Sequence, residues 1–306
     1  MAKKIKNRII ITGGSGFIGS HLIEALKKNG YKNLVVIDKN KPTDKNISFI
    51  KGDFSANKIL RNTIKNNDII VHLACSTIPS TSEQNKEKDI MENVIGAVRL
   101  LENCRGKKLK NFIFLSSGGT VYGKINRPAE ETDAPQPINA HGLMKYLIEK
   151  YIEIHHRLYG LNYTIVRASN PYGREVVGAR KQGVIDIFFK KVLADEPIEI
   201  WGDGRVIRDY FHIDDLAALL LKIIKKPALN QTINAGSGQG ISLNQLLKLI
   251  NKITGKRLKV KYLPERNFDL PYNVLNINKA KSLLNWRPKI KIEKGIKKIY
   301  NHLIKN

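Results

Sequence analysis

Cysteine is scarce in this chain: only Cys75 and Cys104 occur in 306 residues. Neither falls in a Cys/His spacing that would hold zinc, and the pair makes no disulfide framework. Both read as small buried hydrophobes, and no metal site is expected. Long apolar runs are missing too. No stretch of about 18 or more apolar residues appears, which argues against a membrane span. The basic segment 1–8 leads straight into Ile9-Ile10-Ile11, a run too short for a signal-peptide core and followed by no small-residue cleavage site. A cytoplasmic protein is the expectation. Repeats and low-complexity linkers are absent as well.

Acidic residues are few. Asp and Glu number 27 against 53 Lys and Arg, a formal charge of +26. Such a balance can mark a nucleic-acid partner. Only 14 of the cations are Arg, however, and the lysines are spread along the whole chain. Nucleic-acid sites favour clustered Arg with interleaved aromatics, and no such patch is present. Abundant Lys, Ile and Asn fit a general composition bias better, so no nucleic-acid partner is expected. A basic surface would still attract phosphorylated substrates.

Short apolar runs alternate with helical patterns through the first half of the chain. Strands are expected at 8–12, 34–38, 47–50, 68–73, 112–116 and 163–167, and helices at 17–28, 56–65, 87–104 and 141–159. That βαβ rhythm implies an α/β fold with a doubly wound parallel sheet, covered by helices on both faces. Beyond about residue 170 the rhythm loosens. Gly- and Pro-rich loops at 170–173, 201–204 and 234–240 separate helices near 184–194, 214–226, 243–254 and 293–304. The expected division is a dinucleotide-binding unit over 1–170, with parts of 205–236 interleaved, and a smaller unit over 171–306.

The first strand runs into Thr12-Gly13-Gly14-Ser15-Gly16-Phe17-Ile18-Gly19 and then a helix. Gly13 permits a tight turn, Gly16 lets backbone amides approach a pyrophosphate, and Gly19 allows close helix–strand packing. The helix N-terminus adds partial positive charge. Asp38, 19 residues after Gly19, closes the second strand. An acid there accepts hydrogen bonds from an adenosine ribose and repels a 2′-phosphate, so NAD is favoured over NADP.

The spacing Gly13-x-x-Gly16-x-x-Gly19 resembles the extended short-chain dehydrogenase/reductase superfamily. The likeness continues through Gly52-Asp53, His72-Leu73-Ala74, Asn93, Ser116-Ser117-Gly118-Gly119-Thr120-Val121-Tyr122-Gly123, Asn170-Pro171-Tyr172-Gly173, Gly202-Asp203-Gly204, Arg208-Asp209-Tyr210, Asn234-Ala235-Gly236 and Trp286-x-Pro288. The 116–123 segment, with Glu265-Arg266-x-x-Asp269, is most similar to the UDP-sugar 4-epimerases of the NAD-dependent epimerase/dehydratase family. The resemblance implies NAD as cofactor, a UDP-sugar as substrate and a homodimer. It assigns the glycine turn with Phe17 and Ile18, then Asp38, Asp53, Phe54, Leu73, Ala74, Asn93 and Pro171, to the cofactor. Lys145 would hold the nicotinamide ribose. Asn170 would touch the substrate diphosphate, with Arg208, Arg266 and Asp269 around it, since Arg offers fixed bidentate donors to phosphate. Arg208 and Arg266 could instead be ion-pair partners of Asp209 and Asp269.

In the family a Tyr-x-x-x-Lys helix carries the chemistry, the Tyr serving as base and acid for a sugar hydroxyl. Here the segment reads Asn139-Ala140-His141-Gly142-Leu143-Met144-Lys145, with His141 at the Tyr position. Three readings stand: His141 is itself the base, kept neutral by Lys145; the chain binds cofactor and sugar nucleotide without turnover; or His141 is a substitution in an otherwise ordinary enzyme. Gly118 also stands where relatives carry Ser or Thr, leaving Ser117 or Thr120 to assist, Ser117 for preference. Gly119-Thr120 supplies no acid where a 4,6-dehydratase has an Asp-Glu pair, which argues against dehydration. NAD-dependent 4-epimerisation through a transient 4-keto sugar is therefore the expected reaction, with a sugar-nucleotide reductase or decarboxylase, or a non-catalytic binding protein, as alternatives.

Overall fold

The computed structural model describes residues 7–173, 183–266 and 269–305. Its main sheet has seven strands: β1 (Ile9–Thr12), β2 (Leu34–Asp38), β3 (Ser48–Lys51), β4 (Ile69–His72), β5 (Asn111–Ser117), β6 (Tyr163–Ala168) and β10 (Gln231–Ala235). They lie in the order β10-β6-β5-β4-β1-β2-β3, every neighbour parallel. This is the expected doubly wound α/β sheet, and the strand order reverses between β1 and β4. Parallel neighbours need crossovers, so helices cover both faces.

The side-chain period of two sorts the strands onto those faces. Ile9, Ile11 and Val36 pack with Leu22 and Leu26 of α1 (Phe17–Lys28) and with Leu216 and Leu220 of α8 (Ile213–Lys225). Ile10, Val35 and Ile37 face the other way, toward α2 (Asn57–Thr63), α5 (Gly96–Cys104) and α6 (Ala140–Tyr159). Cys104 is buried in that second layer, and Cys75 is half-buried beside it.

A third apolar cluster lies in the remaining sequence. It joins α7 (Val184–Leu193), α9 (Leu243–Thr254) and α11 (Ile292–Leu303) to the strands β8 (Ile198–Trp201) and β9 (Ile207–His212). β9 carries β7 (Asn170–Tyr172), β11 (Gly240–Ser242) and β13 (Tyr272–Asn273), while β12 (Val260–Leu263) pairs with β8. α10 (Asn278–Leu284) packs against β10. α8 and β10 come late in the chain but complete the first sheet and its helical layer.

Several local expectations change. The helix expected over 87–104 is three pieces: α4 (Lys86–Asp89), a π-helical segment Ile90–Ile95, and α5. Asp89 and Asn93 both turn inward to bond the loop at 76–82, and a widened turn accommodates them. The loop expected at 170–173 begins as β7, and 234–240 starts inside β10 and reaches β11. α3 (Pro79–Gln84), α10 and the strands β8–β13 were not legible as periodic segments. These are short pieces whose partners are distant in sequence. Among the described residues no helix is long and apolar enough to cross a membrane.

Gly19 fixes how closely α1 meets the turn that follows β1. A Cβ there would sit 2.5 Å from Gly14 Cα and 2.6 Å from the Gly13 and Gly14 carbonyl oxygens, all of them backbone. Gly19→Val therefore lowers stability by about 1–3 kcal/mol, the usual cost of overpacking. Urea unfolding followed by circular dichroism reads that loss, and an unchanged midpoint contradicts the contact.

Candidate active site

The crevice opens where the strand order reverses, outside the carboxyl ends of β1 and β4. Gly13 has φ +74°, and a Cβ on it would lie 2.6 Å from Ala74 N. Only glycine lets the turn cross the loop after β4 at that distance. Gly16 is the N-cap of α1 with no capping side chain, and no acid occupies the first turn. Asp38 braces the turn: Ser15 N–H donates to Oδ2 at 3.0 Å and Asn40 N–H to Oδ1 at 3.0 Å. Asp53 accepts from Ser55 and pairs with Lys39 at 2.9 Å. Burial opposes its ionisation, but those partners prevail and hold its carboxyl below the usual range. Phe54 turns its ring inward, 4.9 Å from that of His72. Leu73 N–H donates to Thr12 O, and Leu73 and Ala74 stay half-buried. Asn93 accepts from Ser76 N–H and donates to Thr77 and Asp89, tying the π-helical segment to the same loop. A glycine cradle with an uncapped helix N-terminus and an acid closing the second strand fits a dinucleotide.

The reacting end forms where β5 meets α6. A Cβ on Gly142 would meet the Thr120 carbonyl oxygen at 2.3 Å, so glycine lets the first turn of α6 reach the loop after β5. Asn139 caps that turn through Gly142 N–H at 2.8 Å, and Glu83 of α3 accepts from Ala140 N–H. His141 is buried, and its Nδ1 has no hydrogen-bond partner among the described residues. Burial pushes its pKa down to about 4, helped by the nearby charge of Lys145 and opposed by Asp89. The imidazole is neutral at pH 7. Lys145 Nζ donates to Leu115 O at 3.0 Å and lies 5.0 Å from the Phe114 ring centre.

Gly118 is closed off by Leu275, whose Cδ1 would lie 2.6 Å from a Cβ there. A Ser or Thr at that position would displace a fully buried leucine. Ser117 and Thr120 are both half-buried, and Thr120 Oγ1 is buried with no partner among the described residues. Around the point where a Gly119 Cβ would stand, Ser117 Oγ lies at 3.7 Å, Asn170 Oδ1 at 3.9 Å and Asn273 Oδ1 at 4.0 Å. Asn170 and Pro171 belong to β7, where Asn170 Nδ2 donates to Asp209 O. Asn273 donates to Gly118 O, and its Oδ1 is a buried acceptor with no donor among the described residues.

Arg208 projects from β9 and donates to Leu270 O at 2.6 Å; burial lowers its pKa. Asp209 is not its partner, since that carboxylate accepts from Ser237, Gly238 and Leu275. Arg266 does pair with Asp269, Nε to Oδ2 at 3.0 Å, and its guanidinium lies 4.9 Å from the Trp201 ring centre. Two residues join the site that the sequence did not single out. Trp201 directly precedes the Gly202-Asp203-Gly204 motif, which was the available signal. Asn273 lies in no motif, and only the β13–β9 pairing brings it in.

Fold and crevice together define an NAD-binding Rossmann protein with a second cluster of elements at the mouth of the cofactor cleft. The chain belongs to the NAD dependent epimerase/dehydratase family, matching it over residues 9–236. It is 34% identical to a putative UDP-glucose 4-epimerase of Methanocaldococcus jannaschii, over 97% of this chain and 99% of that one. It is 33% identical to an Escherichia coli dTDP-4-dehydro-6-deoxyglucose reductase, over 96% of each. The solved UDP-glucose 4-epimerase of Thermotoga maritima with UDP-glucose superposes with a TM-score of 0.90 at 34% identity, covering 97% of this chain and 99% of that one.

The neutral state of His141 has a consequence for acid stability. In the unfolded chain a histidine takes up a proton near its ordinary 6.5, whereas folded His141 resists down to about 4. Its contribution is complete above pH 6.5 and is lost as the pH falls toward 4. His141→Gln should remove about 1.4 kcal/mol per pH unit from the pH dependence of unfolding across that window. Urea melts of both proteins from pH 7 to 4 measure the difference. Parallel curves would mean that folded His141 takes up its proton at the ordinary 6.5.

Proposed function

We propose that the protein catalyses NAD-dependent 4-epimerisation of a UDP-sugar through a transient 4-keto sugar. The observation that carries this reading is the convergence of His141 and Lys145 with Ser117, Asn170 and Asn273 at the sheet's carboxyl end, with Arg208 and Arg266 beyond. Bound NAD supplies reversible acceptance of a hydride from sugar C4. The residues do the rest. His141 accepts the C4 hydroxyl proton as a neutral imidazole and returns it. Lys145 holds the nicotinamide ribose, and Ser117 hydrogen-bonds the sugar. Asn170 touches the diphosphate, which Arg208 and Arg266 clamp, and Trp201 offers an aromatic face to the base. Asp38 takes the adenosine ribose hydroxyls and disfavours a 2′-phosphate. A second reading, reduction of a 4-keto sugar nucleotide, draws on the likeness to the E. coli reductase.

We also propose a homodimer built on α6. Leu143, Leu147, Ile154 and Leu158 form one exposed apolar stripe along that helix, with Ile90 and Met91 of the neighbouring π-helical segment also exposed. A second copy of the same helix offers a matching stripe, and a two-fold axis would cover both. Leu147→Glu with Leu158→Glu halves the mass read by light scattering. Retention of the parent mass in that variant places the interface elsewhere.

An imidazole of pKa about 4 is a weak base for a sugar hydroxyl, and it is shorter than the phenol it replaces. His141→Tyr restores a longer base beside Lys145. Because general acid–base catalysis typically contributes about 10²–10⁴-fold, turnover of UDP-glucose or UDP-N-acetylglucosamine rises within that range. NAD and UDP affinities barely change. Product resolution by chromatography decides the reaction: a C4 epimer supports the proposal, and NADH-dependent consumption of a 4-keto sugar favours the reductase. Binding without turnover in both proteins overturns the catalytic reading.

A further inference from the structure

Glu149 lies on the inward face of α6, one turn beyond Lys145 and two beyond His141. Its carboxylate is fully buried, and three donors converge on it. Arg167 of β6 donates through Nε at 3.1 and 3.2 Å and through Nη2 at 2.7 Å, while Ser116 Oγ of β5 donates to Oε1. The Arg167 guanidinium lies 4.8 Å from the Tyr122 ring centre. Tyr122 donates in turn to Asn234 Oδ1 at 2.6 Å, and Asn234 Nδ2 reaches Ala129 O at 2.8 Å. A line of buried polar groups thus runs from α6 across β5 and β6 to β10. Ser116, Tyr122 and Asn234 belong to motifs that the cofactor and substrate roles leave unexplained.

A buried ion pair is a poor source of net stability, because desolvation offsets most of the attraction. What it supplies is geometry. Around Glu149, α6 meets the sheet through Met144, Ile148 and Ile152, apolar contacts that tolerate small slides. Forked Arg–carboxylate bonding does not tolerate them. Ser116 follows Leu115, whose carbonyl receives Lys145 Nζ at 3.0 Å. Glu149 therefore grips both sides of that contact: the helix that bears Lys145 and the strand that bears its acceptor.

We propose that Glu149, with Arg167 and Ser116, is a positioning device that sets the depth and rotation of α6 and thereby the place of Lys145 Nζ. This rests on Lys145 serving the cofactor, as proposed above. The test is acetylation of the full-length protein by acetic anhydride, read lysine by lysine by peptide mass spectrometry. Glu149→Met with Arg167→Met fills the volume with apolar side chains, which usually leaves stability close to that of the parent. The expected result is Lys145 acetylated about tenfold faster than in the parent, a local opening change of about 1.4 kcal/mol, with the other lysines unchanged. The NAD dissociation constant rises alongside. Should the double variant not fold, Ser116→Ala decides. It keeps the ion pair but releases β5, and Lys145 should again react faster. A parental rate at Lys145 in the variant that folds overturns the proposal. If NAD fails to protect Lys145 in the parent, the cofactor role of Lys145 falls, while the comparison of rates still settles the positioning role.

Discussion

Backbone contact between Gly142 and the Thr120 carbonyl is the constraint on which the reacting end depends. With a Cβ placed 2.3 Å from that oxygen, no other residue lets α6 begin where it does. That start puts His141 beside the loop after β5 and sends Lys145, one turn later, back to Leu115 O. Asn139 and Glu83 then satisfy the first amides of the helix, so the turn is held from two directions. Gly13 and Gly19 do the same at the cofactor end. In each case the missing side chain is the functional feature, because the chemistry needs backbone where a methyl group would otherwise stand.

Charge is distributed by the same economy of space. Lys145 is a buried cation set against a carbonyl and an aromatic face, while Glu149 and Arg167 neutralise one another a turn away. His141 responds to burial first and to Lys145 second, and loses its proton. A tyrosine in that place would experience the same cation in the opposite sense, since a neighbouring positive charge favours phenolate. The substitution at position 141 therefore changes a site whose surrounding electrostatics still suit the residue it lacks. Gly118 is different. There a serine would need the tip of the buried Leu275 side chain to move aside.

Much of this was readable in the chain. The alternation of apolar runs set the parallel sheet, because strands buried on both faces cannot alternate with polar residues. The glycine spacing with Asp38 marked the cofactor turn, since each position answers a local steric demand. The Tyr-x-x-x-Lys pattern located α6 and exposed His141 as its exception. Polar residues that face inward were harder to read. Asp89 and Asn93 face inward where the helix passes into a π segment, and nothing in their identities announced it.

The sequence alone determined the fold class, the cofactor turn and the helix that bears the chemistry, because these rest on periodicity and on glycines that act over a few neighbouring residues. The tertiary structure decided what meets across large separations. It brought Asn273 to Gly118, gave Arg208 the Leu270 carbonyl as its partner, and closed Gly118 with Leu275. Those outcomes depend on β13 pairing with β9 and on α6 docking against β5 and β6. Such pairings join residues that are adjacent in space but far apart in sequence, and a local pattern carries no record of them.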